Sequence, residues 1–359
     1  MSKPRLIAFY LPQYYPTPEN DEWWGKGFTE WTNVGRAKPL YIGHHQPKVP
    51  ADLGYYDLRL PQVRKEQALL AKESGIEGFC YWHYWFGEGK RLLDIVFNEV
   101  VQSGEPDFPF CLCWANHSWY AKTWDPKIPD KLLMEQTYPG VEDYTKHFME
   151  MLPAFKDKRY MKVDGKLIFG IFAPQLFHDF EVFKKTWNRL AHENGLNGFY
   201  FYALNRIPSN EQQMYTIGYN SVVTDCVDLR LQNQSRLSIY FNGVLRRLRI
   251  ARTTNYLSYC KTLLRYYKVS KTTHPCLYPN FDHSPRSGYR GIILRNSTPN
   301  NWYKFLKSVF SITSHRNHED NLVFIKAWNE WGEGNYLEPD LQYGKGFLNL
   351  TKKAYIESE

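Results

Sequence analysis

The sequence predicts an α/β protein, a (β/α)8 TIM barrel with elaborated βα loops, and three observations carry that expectation. Short runs rich in Ile, Val, Phe, Tyr and Leu recur along the 359 residues, separated by amphipathic stretches. The runs are continuously apolar more than alternating, as parallel strands covered on both faces are. No Gly-rich phosphate loop follows the first run, where Pro12-Gln13-Tyr14-Tyr15-Pro16 stands instead. That absence disfavours the alternative, a doubly wound open sheet.

Eight strands are expected near residues 6–11, 76–82, 108–114, 167–173, 198–204, 221–224, 276–280 and 322–328. Helical patterns follow most of them, at 62–74, 91–103, 142–155, 177–194, 211–218 and 300–314. Strand-then-helix repetition over such a length is barrel-like. Two insertions interrupt it. Residues 16–57 are Trp/Gly/Pro-rich and are expected to be an ordered excursion over the barrel's top face. Residues 229–271 show helical apolar spacing at Val244, Leu245 and Leu248, then Tyr256, Leu257, Leu263 and Leu264. With no Gly/Ser linker, repeat or low-complexity tract, residues 1–359 read as a single domain.

The 43% hydrophobic content implies a large core, and the 17% aromatic content favours a surface for carbohydrate or aryl groups. No apolar run reaches the roughly 18 residues of a spanning helix. The N-terminal residues show no signal-peptide pattern, and a cytoplasmic protein is expected, with peripheral attachment to the inner membrane left open. Of the six cysteines, Cys111 and Cys113 form the closest pair and lack any second CxxC or HxH, which argues against zinc. His44 and His45 are read as loop residues, so neither a metal nor a cofactor is expected.

The net charge of +8 is local, because residues 228–271 contribute +9 and the remainder about −1. Its plain reading is a solvated helical face covering the barrel. Its functional reading is attraction to anionic lipid or an acidic polysaccharide. Nucleic acid is disfavoured because no recognised module accompanies the charge.

Barrels of this class gather functional groups at the C-terminal ends of their strands. Those ends supply Tyr10 and Gln13, then Trp82, His83 and Tyr84, then Trp114, Asn116 and His117. Later ends supply Asn205, Asp225, and Asn280 with Asp282. The last strand leads into Ala327-Trp328-Asn329-Glu330-Trp331-Gly332-Glu333-Gly334, with two carboxylates three residues apart among tryptophans. Glycosidic-bond chemistry needs an acid to protonate the leaving oxygen, a base or nucleophile, and flat faces for sugar rings. Two neighbouring carboxyls cannot both ionise cheaply, so one can serve as an acid near neutral pH. Glu330 and Glu333 are therefore the candidate catalytic pair, with Asn329 and Trp331 beside them.

Several longer motifs carry a family resemblance. They are Asp21 through Val34 (DEWWGKGFTEWTNV), Gln46-Pro47 through Asp57, Tyr81-Trp82-His83-Tyr84-Trp85-Phe86, Trp114-Ala115-Asn116, Asp282-His283-Ser284-Pro285-Arg286, and Trp328 through Asp340. The chain resembles, over almost its whole length, the WbsX-type proteins of the glycoside hydrolase family 99-like group, found in bacterial polysaccharide loci. The resemblance implies a (β/α)8 barrel acting on a glycan, and adds Trp31 to the sugar-binding candidates. The more distant family 99 endo-mannosidases are retaining and are thought to use the substrate's 2-hydroxyl as internal nucleophile. On that model Glu330 deprotonates the 2-hydroxyl, and Glu333 is general acid and then base. This sequence departs from those enzymes at Gly332, where they carry histidine. It also has His117-Ser118 where relatives often show Glu-Asn, so mannose specificity does not carry over. Two other readings stand beside the hydrolase: a glycosyltransferase of polysaccharide biosynthesis and a non-catalytic glycan-binding protein. The transferase reading lacks a DxD motif at a strand end, and a binder has no need of two clustered carboxylates.

Overall fold

In the computed structural model, which describes residues 2–122, 129–226, 243–245, 247–270 and 272–358, eight parallel strands follow one another around a closed barrel. They are β1 Arg5–Tyr10, β2 Gly78–His83, β3 Phe110–Trp114, β4 Lys166–Ile171, β5 Phe199–Asn205, β6 Ser221–Thr224, β7 His274–Leu277 and β8 Leu322–Ile325. The last strand pairs with the first, Leu6 opposite Val323 and Ile7 opposite Phe324, which closes the sheet. The (β/α)8 barrel is the fold the sequence predicts. Six helices alternate with the strands after β1: α3 Pro61–Glu73, α4 Ile95–Ser103, α5 Val141–Phe155, α6 Phe180–Glu193, α7 Glu211–Ile217 and, beyond β7, α9 Pro299–Thr313. The loop after β1 also holds α1 Pro18–Trp24 and α2 Glu30–Arg36, α8 Tyr256–Val269 leads into β7, and α10 Gly346–Ile356 follows β8.

The chain packs as two compact units, residues 1–79 with 225–359 and residues 80–224. In the second unit the core is aromatic. Trp187 of α6 is fully buried and its indole N–H donates to the Tyr144 carbonyl at 2.9 Å. Phe183, Phe169, Phe199 and Phe155 pack around it with ring centroids 4.4–5.5 Å away. The face of α5 that meets this cluster follows from spacing alone: Tyr144, His147, Phe148, Met151 and Phe155 recur at three and four residues. Fully burying one such aromatic contributes about 2–3 kcal/mol.

In the first unit, α9 starts where Thr298 accepts a hydrogen bond from the Asn301 N–H, and Pro299 occupies the first helical position. Its apolar face, Trp302, Phe305, Leu306, Val309 and Phe310, turns inward, and the Trp302 indole donates to Thr351 of α10 at 2.8 Å.

Among the described residues seven of eleven tryptophans are buried, so much of the aromatic excess that suggested a sugar surface is used in packing. All six cysteines are buried free thiols. Among the described residues no helix is long and apolar enough to cross a membrane. Within the basic insertion, residues 229–242, 246 and 271 lie outside the described residues, and with them Arg230, Arg236, Arg246 and Lys271.

Candidate active site

Beyond β8 the chain forms a small hairpin: Asn329–Glu330 pairs antiparallel with Asn335–Tyr336 and encloses a single 3-10 turn, Trp331–Glu333. A 3-10 turn has about three residues per turn, so residues i and i+3 lie one above the other. Glu330 and Glu333 are therefore on one side of the turn, and Glu330 is among the groups that lower the Glu333 carboxyl. The turn ends at Gly334, whose φ of +51° and close approach to Asp282 suit only glycine.

Arg286 is the first of the side chains that set the charge of Glu333. Arg286, from the one-turn helix Ser284–Ser287, donates from Nη1 to Glu333 Oε1 at 2.5 Å. Its Nε and Nη2 approach Glu30 Oε2 at 3.1 and 3.0 Å. Glu30 opens α2, behind the capping Thr29, where the helix dipole favours a carboxylate. Burial pushes the Glu333 carboxyl up, but Arg286, His283, Lys326 and Glu330 outweigh it and hold it at about 2. His283 lies 3.8 Å from Glu333 and bonds to Ser287 at 2.7 Å. Lys326 is fixed by Asp225, at 3.2 Å, whose other oxygen accepts from the Tyr278 hydroxyl. A β-carbon at Gly332 would stand 2.0 Å from Glu30 Oε2, so the Glu30 carboxylate occupies the space a side chain there would need.

The Arg286 ion pair makes a pH-dependent contribution. Glu333 titrates in the folded protein well below an ordinary glutamate, so its stabilisation is present above about pH 4.5 and is lost as pH falls toward 2. With Arg286 a quarter exposed, its side chain at 26%, water shares the neutralisation. Arg286→Met is expected to lower unfolding free energy by about 2–3 kcal/mol at pH 7 and by less than about 1 kcal/mol near pH 2. Denaturant midpoints at the two pH values check this; an equal deficit at both would show that the loss is not electrostatic.

The turn is held from beneath. The Tyr14 hydroxyl donates to the Asn329 carbonyl at 2.5 Å and accepts from the Trp331 N–H at 2.9 Å. Asn329, fully buried, accepts from the Leu11 N–H at 2.7 Å and donates to the Leu11 carbonyl at 3.1 Å. Leaving such buried backbone groups unpaired costs about 1–3 kcal/mol each. Trp331 is fully buried, stacks on Tyr336 at 3.8 Å and donates to Glu338 at 2.6 Å. Glu338 also accepts from Tyr56 and Gln67, and Gln67 in turn accepts from Tyr10. Burial pushes the Glu338 carboxyl up, and these donors hold it back to about 7. Asp282 accepts from His44 at 2.7 Å, Gln46 at 2.6 Å and the Ser284 N–H at 3.0 Å. The Leu40 N–H donates to His44 Nδ1, which places the ring's proton on Nε2, facing Asp282. Gln13 and Trp31 remain partly exposed; the Trp31 indole donates to the Tyr56 carbonyl at 2.8 Å.

The other candidates lie in the unit of residues 80–224. Trp82 meets Phe172 edge-on at 5.4 Å, and Tyr84 meets Trp119 at 5.2 Å. His83 and His147 are hydrogen-bonded at 2.7 Å, and burial lowers both well below the usual histidine range. The Trp114 indole donates to the Trp85 carbonyl at 2.8 Å. Asn116 clamps both backbone groups of Ala173, at 2.7 and 3.1 Å, as Asn329 clamps Leu11. His117 is partly exposed beside Phe172, over which the Arg206 guanidinium lies at 4.3 Å. Among the described residues no cluster of His, Cys, Asp or Glu is arranged for a metal ion. Sequence reasoning did not single out Glu30 or Arg286 as site residues, although both stand inside the motifs quoted above.

The barrel has a glycoside hydrolase-like fold. The chain belongs to the WbsX family, whose model, Glycosyltransferase WbsX, matches residues 6–351. It is 34% identical over 356 residues to the uncharacterized protein WxcX of Xanthomonas campestris, covering 97% of this chain and 49% of that protein. The chain thus spans about half the length of the curated relatives it matches. Among solved structures it is similar to the GH99 endo-alpha-mannosidase of Bacteroides thetaiotaomicron, with a TM-score of 0.58, 14% identity, and coverage of 99% of this chain and 97% of that one. A glycoside hydrolase-like protein gives a TM-score of 0.59 at 13% identity, covering 99% and 94% of the two chains. At such identities the likeness establishes the fold.

Proposed function

We propose that the protein cleaves a glycosidic bond in a bacterial surface polysaccharide or related glycan, with retention of configuration, using Glu330 and Glu333. The observation that carries the reading is the pair of carboxyls on one side of the turn after β8, one of them held ionised by Arg286. An acid and a charge-bearing partner within one site are what the reaction requires.

The family resemblance gives the acid role to Glu333, but the Arg286 contact favours the reverse in the resting protein. We assign the acid role to Glu330 and the anionic role to Glu333, as base or as stabiliser of positive charge on the sugar ring. Partly exposed Trp31, Gln13 and His283 are the groups proposed to meet the glycan. The buried free thiols accord with a reducing, cytoplasmic setting.

A second reading, transfer from a nucleotide sugar, is favoured by the description the family model carries. One experiment separates the two. The protein is incubated with a panel of bacterial polysaccharide fragments and, separately, with a panel of nucleotide sugars plus acceptors. New reducing ends from a fragment are expected. Release of nucleoside diphosphate without any glycan cleavage would reverse the ranking.

A further inference from the structure

Between α8 and α9, inside the unit of residues 1–79 and 225–359, runs a groove of about 360 Å³. Its apolar lining includes Leu257, Leu264 and Phe305, and its cations are Lys261, Arg265 and Lys268 of α8 with Lys304 of α9. The three α8 cations are spaced by four and three residues, so they project from one face of the helix. No acidic residue lines the groove, and none of the four cations is ion-paired to a described residue. Beside it, Leu257 is 49% and Val269 83% exposed.

Like charges four residues apart on a helix weaken it, and here no carboxylate offsets the repulsion. A row of cations beside exposed aliphatic side chains suits a ligand that is anionic at one level and apolar just beneath. Lys and Arg lay their aliphatic stems along such a surface and extend their charges to its rim. A hydrated acidic polysaccharide would satisfy the charges but give the exposed Leu257 and Val269 nothing to bury. An anionic bilayer satisfies both: phosphates meet the cations while the aliphatic groups enter the headgroup boundary.

We propose that the α8–α9 groove docks the protein on an anionic phospholipid surface. The inference rests on this groove alone and is independent of the glutamate pair. The test is co-sedimentation of the full chain with phosphatidylcholine vesicles containing or lacking phosphatidylglycerol. Binding is expected only with phosphatidylglycerol and should weaken as salt is raised. K261E/R265E should lower the partition coefficient at least about tenfold, and L257S should lower it with less change in salt sensitivity. Should K261E/R265E fail to fold, K268Q/K304Q carries the same test with a several-fold loss. E330Q should bind as the wild type does. Equal binding by wild type and charge variants would overturn the proposal. So would retention on an acidic polysaccharide matrix with no vesicle binding.

Discussion

Replacing either glutamate by glutamine, Glu330→Gln or Glu333→Gln, is expected to lower turnover of the cleaved glycan about 10²- to 10⁴-fold, with the fold retained. Full activity in either variant would end the proposed mechanism. The two variants should differ in how they respond to the leaving group. A substrate with an activated aryl leaving group needs no proton on the departing oxygen, so it restores cleavage when only the acid is missing. With the acid role at Glu330, Glu330→Gln should be rescued by the aryl substrate and Glu333→Gln should not. The opposite pattern would place the acid at Glu333, and would mean that the bound glycan breaks the Arg286 contact before reaction.

The second large effect is expected at Gly332, where family 99 enzymes carry histidine. Any β-carbon there meets the Glu30 carboxylate at 2.0 Å. That carboxylate is the far end of a side chain, yet it is buried and tied to Arg286, so it cannot simply swing into water. Gly332→His should cost about 3 kcal/mol through overpacking and a disrupted buried ion pair. Glu30→Ala removes the obstacle, and the double variant should recover at least about 1 kcal/mol relative to additivity. A double-mutant cycle of denaturation free energies decides it: additive losses would mean that Glu30 and residue 332 do not compete for the same space.

The strands were legible in the sequence because burial on both faces makes them continuous apolar runs, and the runs at 221–224 and 322–328 contain β6 and β8. The short α10 was not read, nor was the parallel pair Arg252–Asn255 with Ile292–Arg295, whose partners lie outside any local pattern. The glutamate pair was legible because its two members share one turn. Its counter-ion was not, because Glu30 and Arg286 stand 256 residues apart and only the closed fold joins them. Polar residues at strand ends read as sugar ligands, and the fold gives many of their atoms to protein partners: Asn329 and Asn116 to backbone, Tyr10 to Gln67, Trp331 to Glu338.

The two asparagine clamps have a mechanical consequence. Past the last rung of the β-ladder, chain segments that start neighbouring strands' loops would ordinarily drift apart. Asn329 rivets one such segment at Leu11, and Asn116 rivets another at Ala173, each by a donor and an acceptor on a single short side chain. At each rivet the rim is therefore as inextensible as the barrel wall below it. For the glycan proposed above, discrimination at these places would therefore fall to fit and not to accommodation.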